Sequence, residues 1–177
     1  GLTAALALRQ QGWQVQILER ATSLQDIGAG IQLSPNASRV LRALGLLEQV
    51  LDVAVTPQRI EMVDGLSAQS IFSVPAGSAA AVRWGAPYLH CHRADLISTL
   101  ASALQADAPD CIQFGCEVDR VSTTTDSVTL HVGDRSFQPD LIVAADGVRS
   151  RIRDLCFGDS QPRFTGHVAW RCTVPTA

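Results

Sequence analysis

The chain has 177 residues, of which 46% are hydrophobic and 18% charged, so it can bury a core and lacks the composition of a disordered segment. Lys and Arg total 14 against 17 Asp and Glu, a balance that argues against a nucleic-acid partner or an anionic membrane surface. No apolar stretch approaches the roughly 18 residues of a membrane span, and five cysteines without a C-x-x-C pair favour reduced thiols and a cytoplasmic location.

The first elements read as half of a βαβ unit. Helical periodicity over residues 1–11 predicts a helix that ends at Gly12. The alternating residues 13–18 then predict a strand with Val15 and Ile17 on one face. Because this helix begins with nothing before it, and a strand-like run over residues 166–174 closes the chain, we expect a fragment truncated at both ends.

The middle of the chain alternates helical and strand patterns. Pro35 opens a helix whose predicted apolar face is Val40, Leu41, Leu44 and Leu47. Residues 93–105 return to helical periodicity. Residues 59–63, 70–74 and 80–84 are predicted to be short strands of an inserted antiparallel piece. Residues 111–114 and 117–121 are predicted to be strands, and 127–132 and 135–137 to form a hairpin with Gly133-Asp134 at its turn.

An apolar run, Asp140–Ala145, predicts a central parallel strand buried on both faces. It ends in Asp146-Gly147, before a helix over about 150–156. A carboxylate at the carboxyl end of a parallel strand lies where open α/β sheets bind ligands, and Gly147 lets the backbone pass close to a phosphate. An ordinary turn that caps the next helix explains the same pair.

Glu19 ends the first predicted strand. If Gly1 is the last glycine of a G-x-G-x-x-G turn, Glu19 lies at about the 20-residue separation from which an acidic side chain binds a ribose hydroxyl in dinucleotide-binding folds. A glutamate that merely ends a strand is the alternative.

Five stretches in order resemble one family. They are Gly1-Leu-Thr-Ala-Ala-Leu-Ala-Leu, Val-Gln-Ile-Leu-Glu19-Arg20, Gly28-Ala-Gly30-Ile-Gln-Leu-Ser-Pro35-Asn-Ala, His92-Arg93-Ala-Asp95-Leu96, and 140–153. Together they are similar to the FAD-dependent aromatic hydroxylases, the single-component flavoprotein monooxygenases, with salicylate and 3-hydroxybenzoate hydroxylases the nearest in pattern. Residues 165–171 are similar to the family as well.

The resemblance implies roles for individual residues. Glu19 would bind the adenosine ribose with Arg20 near the adenine, and the Gly28–Pro35 segment would pass the flavin with Gly30 close to it. Arg93 would reach the FAD, and the backbone at Val118 would meet the adenine. Asp146 and Gly147 match a motif that is associated with the FAD pyrophosphate and with reduced nicotinamide. No catalytic residue is identified.

Two side-chain groups have simpler readings. Arg93 could begin a helix with Asp95 beside its positive end. His90 and His92 point the same way from a strand, which suggests a metal, but no further ligands stand at a recognisable spacing, so no metal is predicted.

We therefore predict an α/β fold: a three-layer, Rossmann-like FAD-binding domain (1–56 and 92–160) with a parallel sheet, and antiparallel pieces of a substrate domain (57–91 and 161–177). The parent protein is expected to hydroxylate a small phenolic acid with NADH or NADPH and O2, as a possible homo-oligomer, whereas this fragment alone would be inactive. An FAD-dependent epoxidase or reductase, a nicotinamide-only dehydrogenase, and a non-catalytic truncated domain are the alternatives.

Overall fold

Short helices and strands alternate along the chain, whose residues 1–24, 30–158 and 161–170 are described in a computed structural model. The helices are α1 (Leu2–Gln10), α2 (Pro35–Ala43), α3 (Leu47–Leu51), α4 (Gly77–Trp84), α5 (Arg93–Asp107) and α6 (Arg151–Phe157). The strands are β1 (Ile17–Leu18), β2 (Gly30–Leu33), β3 (Arg59–Val63), β4 (Ser70–Pro75), β5 (Leu89–His92), β6 (Ile112–Gln113), β7 (Arg120–Thr123), β8 (Val128–Val132) and β9 (Arg135–Phe137).

The described residues form two compact units. One contains residues 1–24, 101–158 and 161–170, and the other contains residues 30–100. The first holds the parallel pair β1–β6 and the antiparallel sheet β7–β8–β9; the second holds the antiparallel pairs β2–β5 and β3–β4. The predicted α/β class is confirmed, although in the described ranges parallel pairing is limited to β1 and β6. No helix among the described residues has the length and apolar character to cross a membrane.

The core of the first unit lies between α1, β1 and the end of α5. Its buried centre consists of Ala5, Leu104 and Cys111. Val15 and Ile17 pack against this centre, which confirms that they share one face. The helix ends as predicted, since Gly12 takes a left-handed φ of +84° that most other residues avoid.

The second unit has its own buried residues, and α2 packs against β2, α3 and α4. Leu33 of β2, Leu89 of β5 and Leu41 of α2 are all buried. The predicted apolar face of α2 is partly wrong: Val40 is 44% exposed, and the buried neighbour of Leu41 is Ser38. Helix α2 ends at Ala43, so Leu47 lies in α3 and not on the face of α2. The helical periodicity of α2 therefore stops before the turn that separates the two helices.

The strand predicted for residues 80–84 is wrong, because this segment belongs to α4. Three consecutive alanines precede Val82, and alanine is the best helix former. Gly85, with φ +71°, ends the helix in the left-handed conformation. The short apolar run has no clear hydrophobic periodicity, and its alanine content favours the observed helix.

The start of α4 depends on a glycine. Gly77 has φ +57°, and a Cβ there would lie 3.0 Å from Gln58 Oε1. We expect Gly77→Ala to lower the free energy of unfolding by about 1 kcal/mol, because L-residues disfavour this backbone region. Urea denaturation would measure the loss. Gly65→Ala, at a position with open space and no positive φ, is the matched control and should leave the midpoint unchanged; an equal loss in both variants would contradict the prediction.

The central strand predicted for residues 140–145 is also wrong. Within the described part of the chain no strand pairs with this run, and Leu141 and Val143 are 52% and 51% exposed. A central parallel strand needs a hydrogen-bonded strand on each side, and among the described residues the only parallel ladder joins β1 to β6. The strand predicted for 166–174 has no counterpart in residues 166–170, which are exposed; the remainder, with Cys172, lies outside the described residues.

Two antiparallel hairpins match the sequence analysis. In β8–β9, Gly133 has φ +56° at the first of the two turn residues, as in a type II′ turn. In β3–β4, the paired residues Ile60–Val74 and Met62–Phe72 place four apolar side chains on one face. Met62, Phe72 and Val74 are about half exposed there. The domain boundaries given above stay predictions.

Candidate cofactor-binding site

Glu19 lies directly after β1, at the strand end where the sequence predicts it. Its N–H donates to Gln113 O at 2.8 Å, which continues the parallel pairing of β1 with β6. Its Oε1 accepts the N–H of Ala21 at 2.9 Å. Within the described residues Oε2 accepts no hydrogen bond, so one carboxylate oxygen is available to a ligand hydroxyl.

Gly1 is close enough to Glu19 for the two to interact electrostatically. Partial burial lowers the pKa of the Gly1 amino group, and the Glu19 carboxylate opposes that effect by raising it. The start of α1 and the end of β1 therefore lie within electrostatic range of each other, and the dinucleotide-binding role of Gly1 stays a prediction.

Val118 is connected to Glu19 through the backbone. The N–H of Cys116 donates to Glu19 O at 2.8 Å, and Gly115 N–H donates to Ala21 O at 2.9 Å. Two residues beyond Cys116 the chain reaches Val118, which is half-buried just before β7. Val118 and Glu19 thus lie in two segments that are hydrogen-bonded to each other.

Asp146 organises the turn before α6. Its Oδ1 accepts the Ser150 hydroxyl at 2.5 Å, and its Oδ2 accepts the Ile152 N–H at 3.0 Å. Partial burial raises the pKa of Asp146, but hydrogen bonds from Ser150 and from backbone N–H groups outweigh it and leave the pKa below its ordinary value. Gly147 follows with φ +85°, a left-handed position suited to glycine. The ordinary-turn alternative is confirmed in part: Asp146 accepts an N–H from the first turn of α6, but the N-cap is Ser150, whose Oγ accepts the Arg153 N–H at 3.0 Å.

An ion pair joins this turn to the segment around Val118. Arg151 Nη1 lies 2.9 Å from Glu117 Oε1, and both side chains are largely exposed. This pair could not be predicted from sequence because its residues are separated by 34 positions and Glu117 belongs to none of the five family-like stretches. In the first unit, Gly1, Glu19, Val118 and Asp146 therefore belong to one connected set of segments.

The second unit brings Gly30 and Arg93 together. In the β2–β5 ladder Gly30 stands opposite His92, and Arg93 is the next residue and the first of α5. A Cβ at Gly30 would meet Cys91 O at 3.6 Å, an ordinary contact. Arg93 does begin a helix with Asp95 in its first turn, as the simpler reading holds, and within the described part of the chain its exposed guanidinium has no hydrogen bond or ion pair.

Gly30 permits a clean test because its own surroundings tolerate a methyl group. We expect Gly30→Ala to leave the free energy of unfolding within about 0.5 kcal/mol of wild type. If the flavin passes over this glycine, the same change should weaken FAD binding about threefold to tenfold by steric contact. Isothermal titration with FAD and urea denaturation measure the two quantities separately. A loss of stability as large as the loss of affinity would contradict this assignment.

The remaining candidates contribute less. Arg20 is exposed, and Gly28 lies outside the described residues. His90 packs edge-on against the Tyr88 ring with centroids 5.5 Å apart. Among the described residues no three His, Cys, Asp or Glu side chains gather as a metal ion would need, and the described cysteines are free thiols. Burial raises the pKa of the Cys91 and Cys111 thiols, which disfavours their reactive thiolate form.

Comparison with known proteins identifies the family. The family model described as FAD binding domain matches residues 1–170. The chain belongs to the FAD binding domain family.

Similar proteins are oxygenases of aromatic and heteroaromatic acids. The chain is 39% identical to a 3-amino-4-hydroxybenzoate 2-monooxygenase of Streptomyces cremeus, over 100% of this chain and 44% of that protein. It is 35% identical to a 3-hydroxybenzoate 6-hydroxylase of Klebsiella oxytoca, over 100% of this chain and 45% of that protein. A solved tetrameric 2-methyl-3-hydroxypyridine-5-carboxylic acid oxygenase superposes with a TM-score of 0.73 at 34% identity, covering 89% of this chain and 39% of that one. This FAD binding domain thus spans less than half the length of these relatives.

Taken one unit at a time, residues of this FAD binding domain have chemistry that parts of the cofactor would need. Among the described residues Oε2 of Glu19 accepts no hydrogen bond, so it could accept one from a ribose hydroxyl. The guanidinium of Arg93, which has no partner in the described ranges, could donate to phosphate or flavin oxygens. Gly30 offers a backbone without a side chain. Asp146 is anionic and already holds two donors, so it would influence a phosphate only by fixing the backbone around Gly147.

Proposed function

We propose that the protein containing this chain is an FAD-dependent monooxygenase that hydroxylates a small aromatic acid. The balanced reaction consumes the arene, O2, NAD(P)H and a proton, and it yields the hydroxyarene, NAD(P)⁺ and water. When bound, FAD supplies the transfer of electrons from the nicotinamide to dioxygen. The work of this chain is to bind and orient that cofactor.

One observation carries the proposal: relatives matching all of this chain are named for hydroxylating benzoates that carry a ring hydroxyl. The solved oxygenase is named for a pyridine acid with the same combination of hydroxyl and carboxylate. A ring hydroxyl makes the ring electron-rich, which is what an electrophilic oxygen transfer needs. The shared substrate chemistry therefore supports a phenolic acid or its pyridine counterpart.

Each candidate residue has a defined task in this proposal. Glu19 accepts a hydroxyl of the adenosine ribose, with Arg20 near the adenine and the backbone at Val118 facing it. Gly30 and Arg93 receive the flavin side of the cofactor. Asp146 and Gly147 shape the turn that approaches the pyrophosphate and the reduced nicotinamide, with Gly1 at the end of the glycine-rich turn. These assignments support binding and orientation, and no proton transfer is assigned to this chain.

Product analysis tests the function. The full-length protein, reconstituted with FAD, is mixed with NADH or NADPH and a panel of hydroxybenzoates, aminohydroxybenzoates and hydroxypyridine carboxylates. We expect at least one compound to accelerate nicotinamide oxidation and to gain one oxygen atom per nicotinamide consumed. Nicotinamide oxidation that yields only hydrogen peroxide with every compound would contradict hydroxylation.

The same assay separates the alternatives. An epoxidase would transfer oxygen to an isolated alkene, and a reductase would consume nicotinamide with a non-oxygen acceptor.

A cytoplasmic location and a homo-oligomeric state complete the proposal. The tetrameric form of the solved pyridine acid oxygenase supports the homo-oligomeric state.

A further inference from the structure

Residues 117–118 form a short junction between the parallel β1–β6 pair and the antiparallel sheet of the first unit. On one side, Cys116 N–H donates to Glu19 O at 2.8 Å and attaches the chain to the end of β1. On the other side, Asp119 N–H donates to a carbonyl of β8 at 2.9 Å. The junction lies after β6 and before β7, outside the ladder of either sheet. The position of Val118 therefore depends on how these two attachment points are held relative to each other.

The side chain of Arg135 connects the two attachment points. Arg135 belongs to β9, in the same sheet as β7 and β8, and its Nη2 lies 3.0 Å from Cys116 Sγ. Because a guanidinium has only N–H donors, the sulfur accepts from Arg135. The thiol in turn donates, and the nearer of its two acceptors is Phe114 O at 3.4 Å. One side chain of the antiparallel sheet thus holds the segment that is attached to the end of β1.

The sulfur end of this contact is shielded from water. Cys116 is 2% exposed, and Val132, which stands opposite Arg135 in the β8–β9 register, is also buried. The Arg151–Glu117 ion pair reaches the junction too, but its side chains are 52% and 57% exposed, and ion pairs between exposed side chains contribute little. The contact between Arg135 and the buried thiol is therefore the stronger side-chain connection of the two.

We infer that Arg135 is a positioning residue for the adenosine half of FAD: by holding Cys116 it fixes the junction, and with it the backbone at Val118 relative to the Glu19 carboxylate. The inference rests on the proposed function, from which Glu19 and Val118 take their roles. Arg135 itself acts through Cys116 and does not contact the cofactor. Because FMN lacks the adenosine, Arg135 should matter for the selectivity between FAD and FMN and not for binding of the flavin itself.

Variants at the two ends of the contact test this inference in the full-length apoprotein. Arg135→Met keeps an unbranched side chain but removes every donor, and Cys116→Ala removes the acceptor. We expect each variant to raise the dissociation constants of FAD and of AMP about fivefold, while that of FMN changes less than about twofold. A residue that only stabilised the fold would change the affinities for all three ligands together.

Conservative variants and a control make the result specific. Arg135→Lys keeps a donor and Cys116→Ser keeps a donor and an acceptor, so both should recover part of the FAD affinity. Arg39→Met changes an exposed arginine of the other unit and should leave the affinities unchanged. The double variant Arg135→Met/Cys116→Ala should bind FAD no more weakly than about the weaker of the two single variants, because both remove the same contact.

The outcomes distinguish this inference from the proposed function. Unchanged AMP affinity in Arg135→Met, equal weakening of FAD and FMN, or additive losses in the double variant would each overturn the inference while the proposed function stands. Failure of the wild type to bind FAD would instead contradict the proposed function and the adenosine roles with it. Urea denaturation of the four proteins without FAD measures the coupling between Arg135 and Cys116 in either case, and no coupling would also overturn the inference.

Discussion

Replacing Glu19 by alanine should weaken FAD binding by roughly 1 to 3 kcal/mol, equivalent to about fivefold to 150-fold in the dissociation constant. Oε1 of Glu19 accepts the Ala21 N–H, whereas Oε2, which accepts no hydrogen bond from the described residues, would accept one from the ribose under the proposal. Loss of the carboxylate would leave a ribose hydroxyl without its acceptor in a partly buried place. Fluorescence titration of the full-length apoprotein with FAD measures the change.

Two further variants make this result specific. Glu19→Gln keeps an oxygen acceptor without the charge and should recover part of the lost affinity. Glu48→Ala removes an exposed carboxylate from the first turn of α3 and should leave FAD affinity unchanged. If Glu19→Ala and Glu48→Ala bind FAD equally well, Glu19 does not belong to the site.

Replacing Asp146 by alanine should slow reduction of the bound flavin by nicotinamide about 10-fold to 100-fold, while the free energy of unfolding falls by only about 1 kcal/mol. The carboxylate holds Ser150 and Ile152 and so fixes the turn containing Gly147. Displacing that turn by about 1 Å is enough to cost a positioned reaction this much rate. Anaerobic stopped-flow absorbance gives the reduction rate directly.

The stability part of this prediction has a defined pH dependence. Because the pKa of Asp146 is lowered in the folded chain, its stabilising contribution is present above the unfolded value of about 3.9 and is lost as pH falls through the lower, folded pKa. Wild type and Asp146→Ala should therefore converge in stability in strong acid and differ at neutral pH.

The outcome that would contradict the role of Asp146 in nicotinamide binding is a stable Asp146→Ala variant whose bound flavin is reduced at the normal rate.

Local features of this fold were predictable because local chemistry decides them. The end of α1 at Gly12, the start of α2 at Pro35 and the turn at Gly133 each depend on the backbone preference of one residue. The placement of Glu19 after β1 follows from alternation and needs no tertiary information.

Other features depend on contacts that sequence patterns do not contain. The sequence of residues 140–145 shows only that the segment is apolar. It does not indicate which strands would pair with the segment on either side. At α4 the tertiary fold and the alanine content agreed on a helix where short apolar length suggested a strand. The Glu117–Arg151 pair and the contact between Arg135 and Cys116 join residues whose proximity exists only once the sheet has formed.

The apolar face of the β3–β4 hairpin has a practical consequence for anyone producing this chain alone. Met62, Phe72 and Val74 expose hydrophobic side chains on a two-stranded ribbon, whose outer edges also carry backbone groups able to bind another strand. We expect copies of the chain to associate through this hairpin as the protein concentration rises. Self-association of the isolated chain, rather than its melting temperature, will therefore set the highest concentration at which it stays in solution.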